Sequence, residues 1–151
     1  MDDIIYMKEA IKEARRALEC GEIPVGAVVV RGGEIIGRGH NVRSRDNSPF
    51  GHAEIAAMTE AAKRINSWRF DGCSIYVTLE PCTMCAAAIS MARIKTLYFG
   101  AYDPKGGAVV NGVRFYDSPT CHHRPEVCGG ILEAECGEIL KRFFRNKRRK
   151  V

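Results

Sequence analysis

The fold of this chain is decided by one stretch, residues 74–85, which reads Ser-Ile-Tyr-Val-Thr-Leu-Glu-Pro-Cys-Thr-Met-Cys. Residues 74–79 alternate and are rich in β-branched and aromatic side chains, so they predict a central β-strand. Pro81 suits the first turn of a helix, which we expect to run to about Met91. The stretch therefore predicts a strand that leads directly into a helix, with two cysteines at the junction.

The segments on either side continue this alternation. Hydrophobic periodicity predicts helices over residues 3–20, 53–65 and 131–145. Short apolar runs predict strands over residues 25–30, 34–40, 96–100 and 125–128, with a hairpin turn at residues 31–33. Because strands alternate with helices, the sequence predicts an α/β protein, a three-layer α/β/α sandwich around a mixed five-stranded sheet.

Length and composition are those of an ordinary globular protein. The chain has 151 residues, of which 46% are hydrophobic and 27% charged, and we expect residues 1–151 to form a single domain. Its apolar runs fall short of the ~20 residues that span a bilayer. The acidic start, Met1-Asp2-Asp3, is unlike a signal peptide, so we expect a cytoplasmic protein with no membrane partner.

The cysteine pattern is not that of a disulfide scaffold. Seven cysteines are an odd number, spread along the chain without dense spacing. Cys82 and Cys85 form a Cys-x-x-Cys pair, which in a reducing compartment indicates metal binding or redox chemistry. The others are expected to be small buried hydrophobic residues: Cys20, Cys73, Cys121, Cys128 and Cys136.

The net charge of +5 is concentrated at the C-terminal end. Residues 141–151 carry seven cations and no acid: Lys141, Arg142, Arg145, Lys147, Arg148, Arg149 and Lys150. The other 140 residues hold 16 basic against 18 acidic residues. A basic C-terminal helix and tail, from about residue 131, would suit a polyanionic partner. A solvated tail accounts for the charge equally well.

Three side chains have the chemistry of a catalytic zinc site. Cys82 and Cys85 are three residues apart at a helix start and share one face, so they can bind one ion. His52 opens another predicted helix and is the best third ligand. The pair His122-His123 competes for this place but lies in an irregular stretch. Three protein ligands leave the fourth tetrahedral position for water, as in catalytic zinc sites.

Glu54 lies two residues after His52, in the first turn of its helix. A glutamate beside zinc that does not bind the ion can take a proton from the metal-bound water. Three alternatives remain at this point: a closed structural zinc site, a redox cysteine pair, or a Glu54 that is only a surface carboxylate.

The glycines at 32–39 do not form a phosphate loop, because Arg38-Gly39 stands where Lys-Ser/Thr is needed and no helix opens there.

The combination of His-x-Glu with Pro-Cys-x-x-Cys resembles the signature of the zinc-dependent nucleoside and nucleobase deaminases. The resemblance to the bacterial tRNA-specific adenosine deaminases covers nearly the whole chain. It includes residues 24–29 (Pro-Val-Gly-Ala-Val-Val), 39–41 (Gly-His-Asn), 76–82 (Tyr-Val-Thr-Leu-Glu-Pro-Cys), 103–108 (Asp-Pro-Lys-Gly-Gly-Ala) and 123–127 (His-Arg-Pro-Glu-Val). The resemblance implies a cytidine deaminase-like fold.

This resemblance also implies an activity: hydrolytic deamination of the wobble adenosine of a tRNA anticodon to inosine. One Zn²⁺ per subunit would be held by His52, Cys82 and Cys85. Glu54 would be the catalytic proton carrier, and Asn41 would contact the base. Members of the family are homodimers, and their RNA substrate crosses the boundary between the subunits.

Contacts to the tRNA anticodon arm are implied for Asp103, Lys105, Phe144 and Arg145. Phe143 and Phe144 are adjacent on a helix and cannot both be core residues, which leaves one free for stacking on a base. The chain departs from the usual family pattern at residues 48–51 and 111–116, and we expect both segments to border the pocket.

Two other functions fit the same residues. The first is deamination of free guanine, cytosine or a nucleoside, because the pocket and not the metal sets the substrate. The basic C-terminus counts against it, since a free base needs no phosphate-binding surface. The second is a non-catalytic zinc module that binds RNA.

Overall fold

The computed structural model of the chain describes residues 2–149. Lys150, part of the predicted basic tail, lies outside the described residues, as do Met1 and Val151. Four helices and five strands alternate along the chain in this order: α1 (Asp2–Glu19), β1 (Gly26–Arg31), β2 (Glu34–His40), α2 (Ala53–Ile65), β3 (Ser74–Leu79), α3 (Thr83–Met91), β4 (Thr96–Ala101), β5 (Glu126–Cys128) and α4 (Glu133–Arg149). A short 3₁₀ turn covers Phe115–Asp117.

The five strands form one mixed sheet in the order β2-β1-β3-β4-β5. Strand β1 is antiparallel to both β2 and β3, whereas β3, β4 and β5 are parallel. Strand β3 lies in the middle, as the sequence predicts. Gly32 and Gly33 both have positive φ angles, 57° and 79°, which is the turn geometry that a tight two-residue hairpin requires.

Successive strand residues face opposite layers of helices. On one face, β1 and β3 contribute Val28, Val30 and Tyr76 to a core shared with α1 and with Cys136 of α4. On the other face, Val29, Ile75 and Val77 pack with residues of α2 and α3 such as Ala57 and Ile89. Helices therefore cover both faces of the sheet, and the predicted three-layer sandwich is confirmed. Among residues 2–149, none of the helices is both long and apolar enough to cross a membrane.

Glycines allow two helices to lie directly against the sheet. A Cβ atom on Gly26 would lie 2.1 Å from the carbonyl oxygen of Ala10 in α1. A Cβ atom on Gly39 would lie 2.5 Å from the backbone nitrogen of Ala57 in α2. These distances are far below van der Waals contact. The glycines of β2 therefore serve helix packing, and they fix the depth at which α2 lies.

The structure corrects several sequence predictions. Pro81 lies outside its helix, because Cys82 is the extended N-cap residue and α3 begins at Thr83. The last helix begins at Glu133 and not at residue 131, since Leu132 has a left-handed φ of 53°, and it continues to Arg149. Burial is confirmed for Cys73, Cys121 and Cys136, but Cys20 and Cys128 are exposed because each lies at the end of a surface element.

We expect Gly39→Ala to destabilise the fold by about 1–3 kcal/mol, because the added methyl group overpacks the contact between β2 and α2. Urea unfolding monitored by circular dichroism measures this change. Gly137→Ala in α4 is the matched control, since nothing lies within 4 Å of its Cβ position, and it should leave the stability unchanged or raise it by up to about 1 kcal/mol. Equal stabilities for the two variants would contradict the close packing.

Candidate metal centre

Two helix starts bring the proposed ligands together. His52 is the N-cap residue of α2 and Cys82 is the N-cap residue of α3, and neither side chain caps its own helix. The Nδ1 atom of His52 lies 3.5 Å from Sγ of Cys82 and 3.4 Å from Sγ of Cys85. The structure thus places an imidazole and two thiols, remote in sequence, in one small cluster in which the ligand atoms lie within 4.8 Å of one another.

The spacing of this cluster fits a tetrahedral metal ion. With ordinary zinc distances to nitrogen and sulfur, two ligand atoms of a tetrahedron are about 3.6 Å apart. The observed separations of 3.4 and 3.5 Å are close to that edge length. Thiolate and imidazole are ligands that zinc and related ions prefer. Both nitrogen–sulfur separations therefore fit a tetrahedral metal ion, and three protein ligands leave a position for a further ligand.

Glu54 is buried against the same cluster. Its side chain is only 4% exposed, and it lies near the thiol of Cys85. Burial is the main cause that raises the pKa of Glu54, to about 7, although its own backbone N–H, the charge of His52 and the neighbouring Cys85 oppose the shift. A carboxyl group with such a pKa can accept and release a proton near neutral pH.

The two thiols shift each other's pKa in opposite directions. The interaction with Cys85 is the main cause that lowers the pKa of the Cys82 thiol, to about 4, and His52 lowers it further. The same interaction, together with burial, raises the pKa of Cys85. Metal ions bind thiolates, so loading this site releases protons and becomes more favourable as pH rises. The positive ends of α2 and α3 both favour the negative charge of the thiolates.

Asn41 lies next to the metal cluster and supports α2. Its side chain is 7% exposed, and its Oδ1 atom accepts the backbone N–H of Ala53 at 2.9 Å. This bond satisfies one of the free N–H groups at the start of α2. The sequence assigns Asn41 to the base only through a resemblance, and the structure adds a role in fixing the helix that carries His52 and Glu54.

The competing histidines do not join the cluster. His123 Nε2 donates a hydrogen bond to the carbonyl oxygen of Ile94 at 2.7 Å, which is an ordinary structural contact. In the part of the chain that the structure describes, the group of possible metal ligands consists of His52, Cys82 and Cys85 alone. The geometry therefore favours His52 over His122 and His123.

The residues proposed to contact RNA lie along α4 and the loop after β4. Asp103, Lys105 and Phe144 line one cavity of about 710 Å³. Asn41 and Lys147 line another of about 480 Å³, and Ile23 borders both cavities. The two cavities lie side by side along α4 with Ile23 between them, and we call them together the groove beside α4.

The aromatic pair of α4 behaves as predicted. Phe143 is 7% exposed and belongs to the core, whereas Phe144 is 45% exposed and reaches the groove. Arg145 is exposed on the same helix but lines neither cavity. One aromatic ring is thus available for stacking.

Glu80, the residue between β3 and Pro81, is a functional candidate that the sequence motifs do not single out. Glu80 is 2% exposed, and its carboxylate accepts hydrogen bonds from the loop that follows β4, including the backbone N–H groups of Asp103 and Val109. Burial alone would raise the pKa of Glu80, but these hydrogen bonds together lower it. One feature of the sequence indicates this role. An acidic residue that directly follows a central strand is expected to be buried, and a buried carboxylate needs several hydrogen-bond donors.

Comparison with known proteins agrees with this geometry. A family model described as MafB19-like deaminase matches residues 1–148. The "tRNA-specific adenosine deaminase" of Agrobacterium fabrum is 54% identical over 143 residues, covering 95% of this chain and 94% of the relative. The Bacillus subtilis protein of the same name is 48% identical over 148 residues, covering 98% and 92%.

A solved structure is also similar along most of its length. It comes from a study of A-to-I editing by tRNA:A34 deaminases at the wobble position of transfer RNA. The TM-score is 0.88 at 53% sequence identity, with 89% of this chain and 98% of that chain covered. Sequence and fold therefore point to the same group of proteins.

We expect the purified protein to bind one metal ion per chain through these three ligands, as measured by elemental mass spectrometry. Cys85→Ser should weaken metal binding by more than about 100-fold, because even changes to the partners of metal ligands typically cost 10- to 100-fold. Cys20→Ser, which changes an exposed cysteine, is the matched control and should keep its metal. Full metal content in Cys85→Ser would contradict the assignment.

Proposed function

The chain belongs to the family of tRNA-specific adenosine deaminases, and from this premise we propose that it hydrolyses adenosine to inosine at the wobble position of a tRNA anticodon. The observation that carries the proposal is the cluster of His52, Cys82 and Cys85 beside the buried carboxyl group of Glu54. A metal-binding cluster with an adjacent proton carrier has the parts needed for hydrolytic deamination.

The proposed metal is Zn²⁺, held by His52, Cys82 and Cys85. When bound, it supplies the Lewis acidity that makes water a nucleophile near neutral pH. Glu54 accepts the proton of the attacking water as oxygen adds to C6 of the adenine ring. The same carboxyl group delivers that proton to N1 and then assists the departure of ammonia, which completes the exchange of an amino group for oxygen. Its burial keeps the proton from bulk solvent during these steps.

The groove beside α4 is the proposed path of the RNA. Asn41, Asp103 and Lys105 border the groove, and Asn41 also bonds to the first residue of α2, next to His52. Phe144 offers an exposed ring on which a base can stack. Arg145 and the cations after it would neutralise phosphates of the anticodon arm. This arrangement favours a polymeric substrate over the alternative of a free guanine, cytosine or nucleoside.

We further propose that the chain acts as a single domain in a homodimer. Trp68 and Met91 are 65% and 69% exposed, and they border an apolar cavity of about 340 Å³ between α2 and α3. Large apolar side chains grouped in this way are typical of a protein–protein interface. A tRNA substrate places the proposed site of action in the cytoplasm.

The function is tested by changing Glu54. We expect Glu54→Gln to retain its metal and its affinity for an anticodon stem-loop, while kcat falls by about 10²- to 10⁴-fold, because only the proton carrier is removed. Inosine is measured by sequencing the RNA, in parallel with free guanine and adenosine as substrates. Glu60→Gln, an exposed glutamate of the same helix, serves as the control and should retain activity.

Two results would contradict this function. Turnover of free guanine with no inosine in the RNA would favour the free-base deaminase. If Glu54→Gln and the wild-type protein bind RNA equally well and produce the same amount of inosine, the result would favour a non-catalytic zinc module.

The basic end of α4 makes a separate prediction about salt. If Lys147 and Arg148 bind phosphates, the double variant Lys147→Ala/Arg148→Ala should reduce the slope of log affinity against log salt concentration by about 0.7 for each phosphate that is no longer neutralised. Fluorescence anisotropy of a labelled stem-loop between 50 and 200 mM salt, roughly the range in which such effects are large, gives the slope. Lys95→Ala is the control. Lys95 precedes the first residue of β4, whereas the loop that borders the groove follows the last residue of β4, so Lys95 lies at the other end of the strand. An unchanged slope would show that these cations do not bind phosphates and that the basic tail is only a solvated extension.

A further inference from the structure

We propose that Glu80 and Asn111 are positioning residues that hold the loop 103–111 against the turn carrying the metal ligands, and so place Asp103 and Lys105 beside the substrate. This inference rests on the proposed function, and it assigns a role to Asn111, which lies in a segment that departs from the family pattern. We call this group of contacts the carboxylate clamp.

The clamp is built from five hydrogen bonds to one carboxylate. Oε2 of Glu80 accepts the backbone N–H groups of Val109, Val110 and Asn111 at 3.1, 2.9 and 3.0 Å. Oε1 accepts the backbone N–H of Asp103 at 3.0 Å and Nδ2 of Asn111 at 2.7 Å. All five donors belong to the loop. A buried carboxylate with this many donors fixes the groups that donate to it.

The clamp connects the loop to the metal-binding turn. Glu80 directly follows β3 and lies two residues before Cys82. The backbone N–H of Glu80 donates to the carbonyl oxygen of Ala101 at 2.8 Å, and the N–H of Ala108 donates to the carbonyl oxygen of Pro81 at 2.9 Å. The two ends of the loop are therefore attached to the residues that introduce α3, and the loop cannot shift without breaking these bonds.

The tip of the loop is held in the same way. Oδ1 of Asp103 accepts the backbone N–H groups of Lys105 and Gly106 at 3.2 and 2.9 Å. A Cβ atom on Gly107 would lie 2.5 Å from the carboxyl carbon of Glu80, so a glycine is needed where the loop crosses the clamp. The position of Asp103 and Lys105 at the groove thus follows from the bond between the Asp103 N–H and Glu80, together with the bonds that hold residues 106–111.

If Glu80 and Asn111 only stabilised the metal site or the fold, their loss would lower the metal content together with the activity. A positioning role predicts a different result. The clamp contacts the loop and none of the three metal ligands, so a weakened clamp leaves the metal in place. A weakened clamp instead displaces Asp103 and Lys105, the side chains proposed to hold the substrate. Removing an interaction that is equally strong in the bound state and the transition state raises KM and leaves kcat nearly unchanged.

The test compares Glu80→Gln and Asn111→Ala with Glu126→Gln, a control at an exposed glutamate of β5. Metal content, kcat and KM for an anticodon stem-loop are measured for each protein. We expect full metal content, a KM raised by about tenfold in Glu80→Gln and by about threefold in Asn111→Ala, and a kcat changed by less than about twofold. Asn111→Ala removes one of the five bonds and keeps the backbone donors, so it decides the matter if Glu80→Gln does not fold.

Unchanged KM in Asn111→Ala would overturn the clamp, and so would a decrease in activity that follows a decrease in metal content. The dissociation constant of the stem-loop, measured in a Glu54→Gln background, separates this question from the function itself. If the unchanged protein makes no inosine, the proposed function fails, and the clamp is then judged by whether Asn111→Ala weakens stem-loop binding by about threefold.

Discussion

The structure depends on the meeting of two helix starts at one edge of the sheet. Helix α2 begins after His52 and α3 begins after Cys82, and neither of these N-cap side chains makes a hydrogen bond to its own helix. The imidazole of His52 instead lies 3.5 and 3.4 Å from the sulfur atoms of Cys82 and Cys85. Since both helix ends carry partial positive charge, the same place favours thiolates and an electron-rich ligand. The proposed metal binding and the proposed reactivity of the site both follow from this arrangement of the two helix starts.

The walls of the groove are held by buried carboxylates. Glu22 is 5% exposed and accepts the backbone N–H groups of Ser44 and Arg45 at 3.0 to 3.2 Å. Glu80 does the same for the loop that follows β4. The sheet and helices thus fix the metal ligands, while charged side chains fix the irregular loops that surround them. Loops attached in this way can differ between related proteins without changing the metal centre.

Much of this could be predicted from the sequence because the relevant signals are local. The bounds of β2, α2 and β3 follow from periodicity, and the spacing of Cys82 and Cys85 places both on one helix turn. The contacts of Glu80 could not be predicted, since its donors are 23 to 31 residues away in sequence. The prediction that Cys20 and Cys128 are buried is wrong because residue type alone does not show which end of an element meets solvent.

The central claim is that one metal ion is held by two sulfurs and one imidazole nitrogen, with a position open to a light atom. X-ray absorption at the zinc edge of the purified protein tests this claim most directly. The account predicts two sulfur neighbours at about 2.3 Å and two nitrogen or oxygen neighbours at about 2.0–2.1 Å. A shell of four sulfurs, or a shell that contains no sulfur, would contradict it.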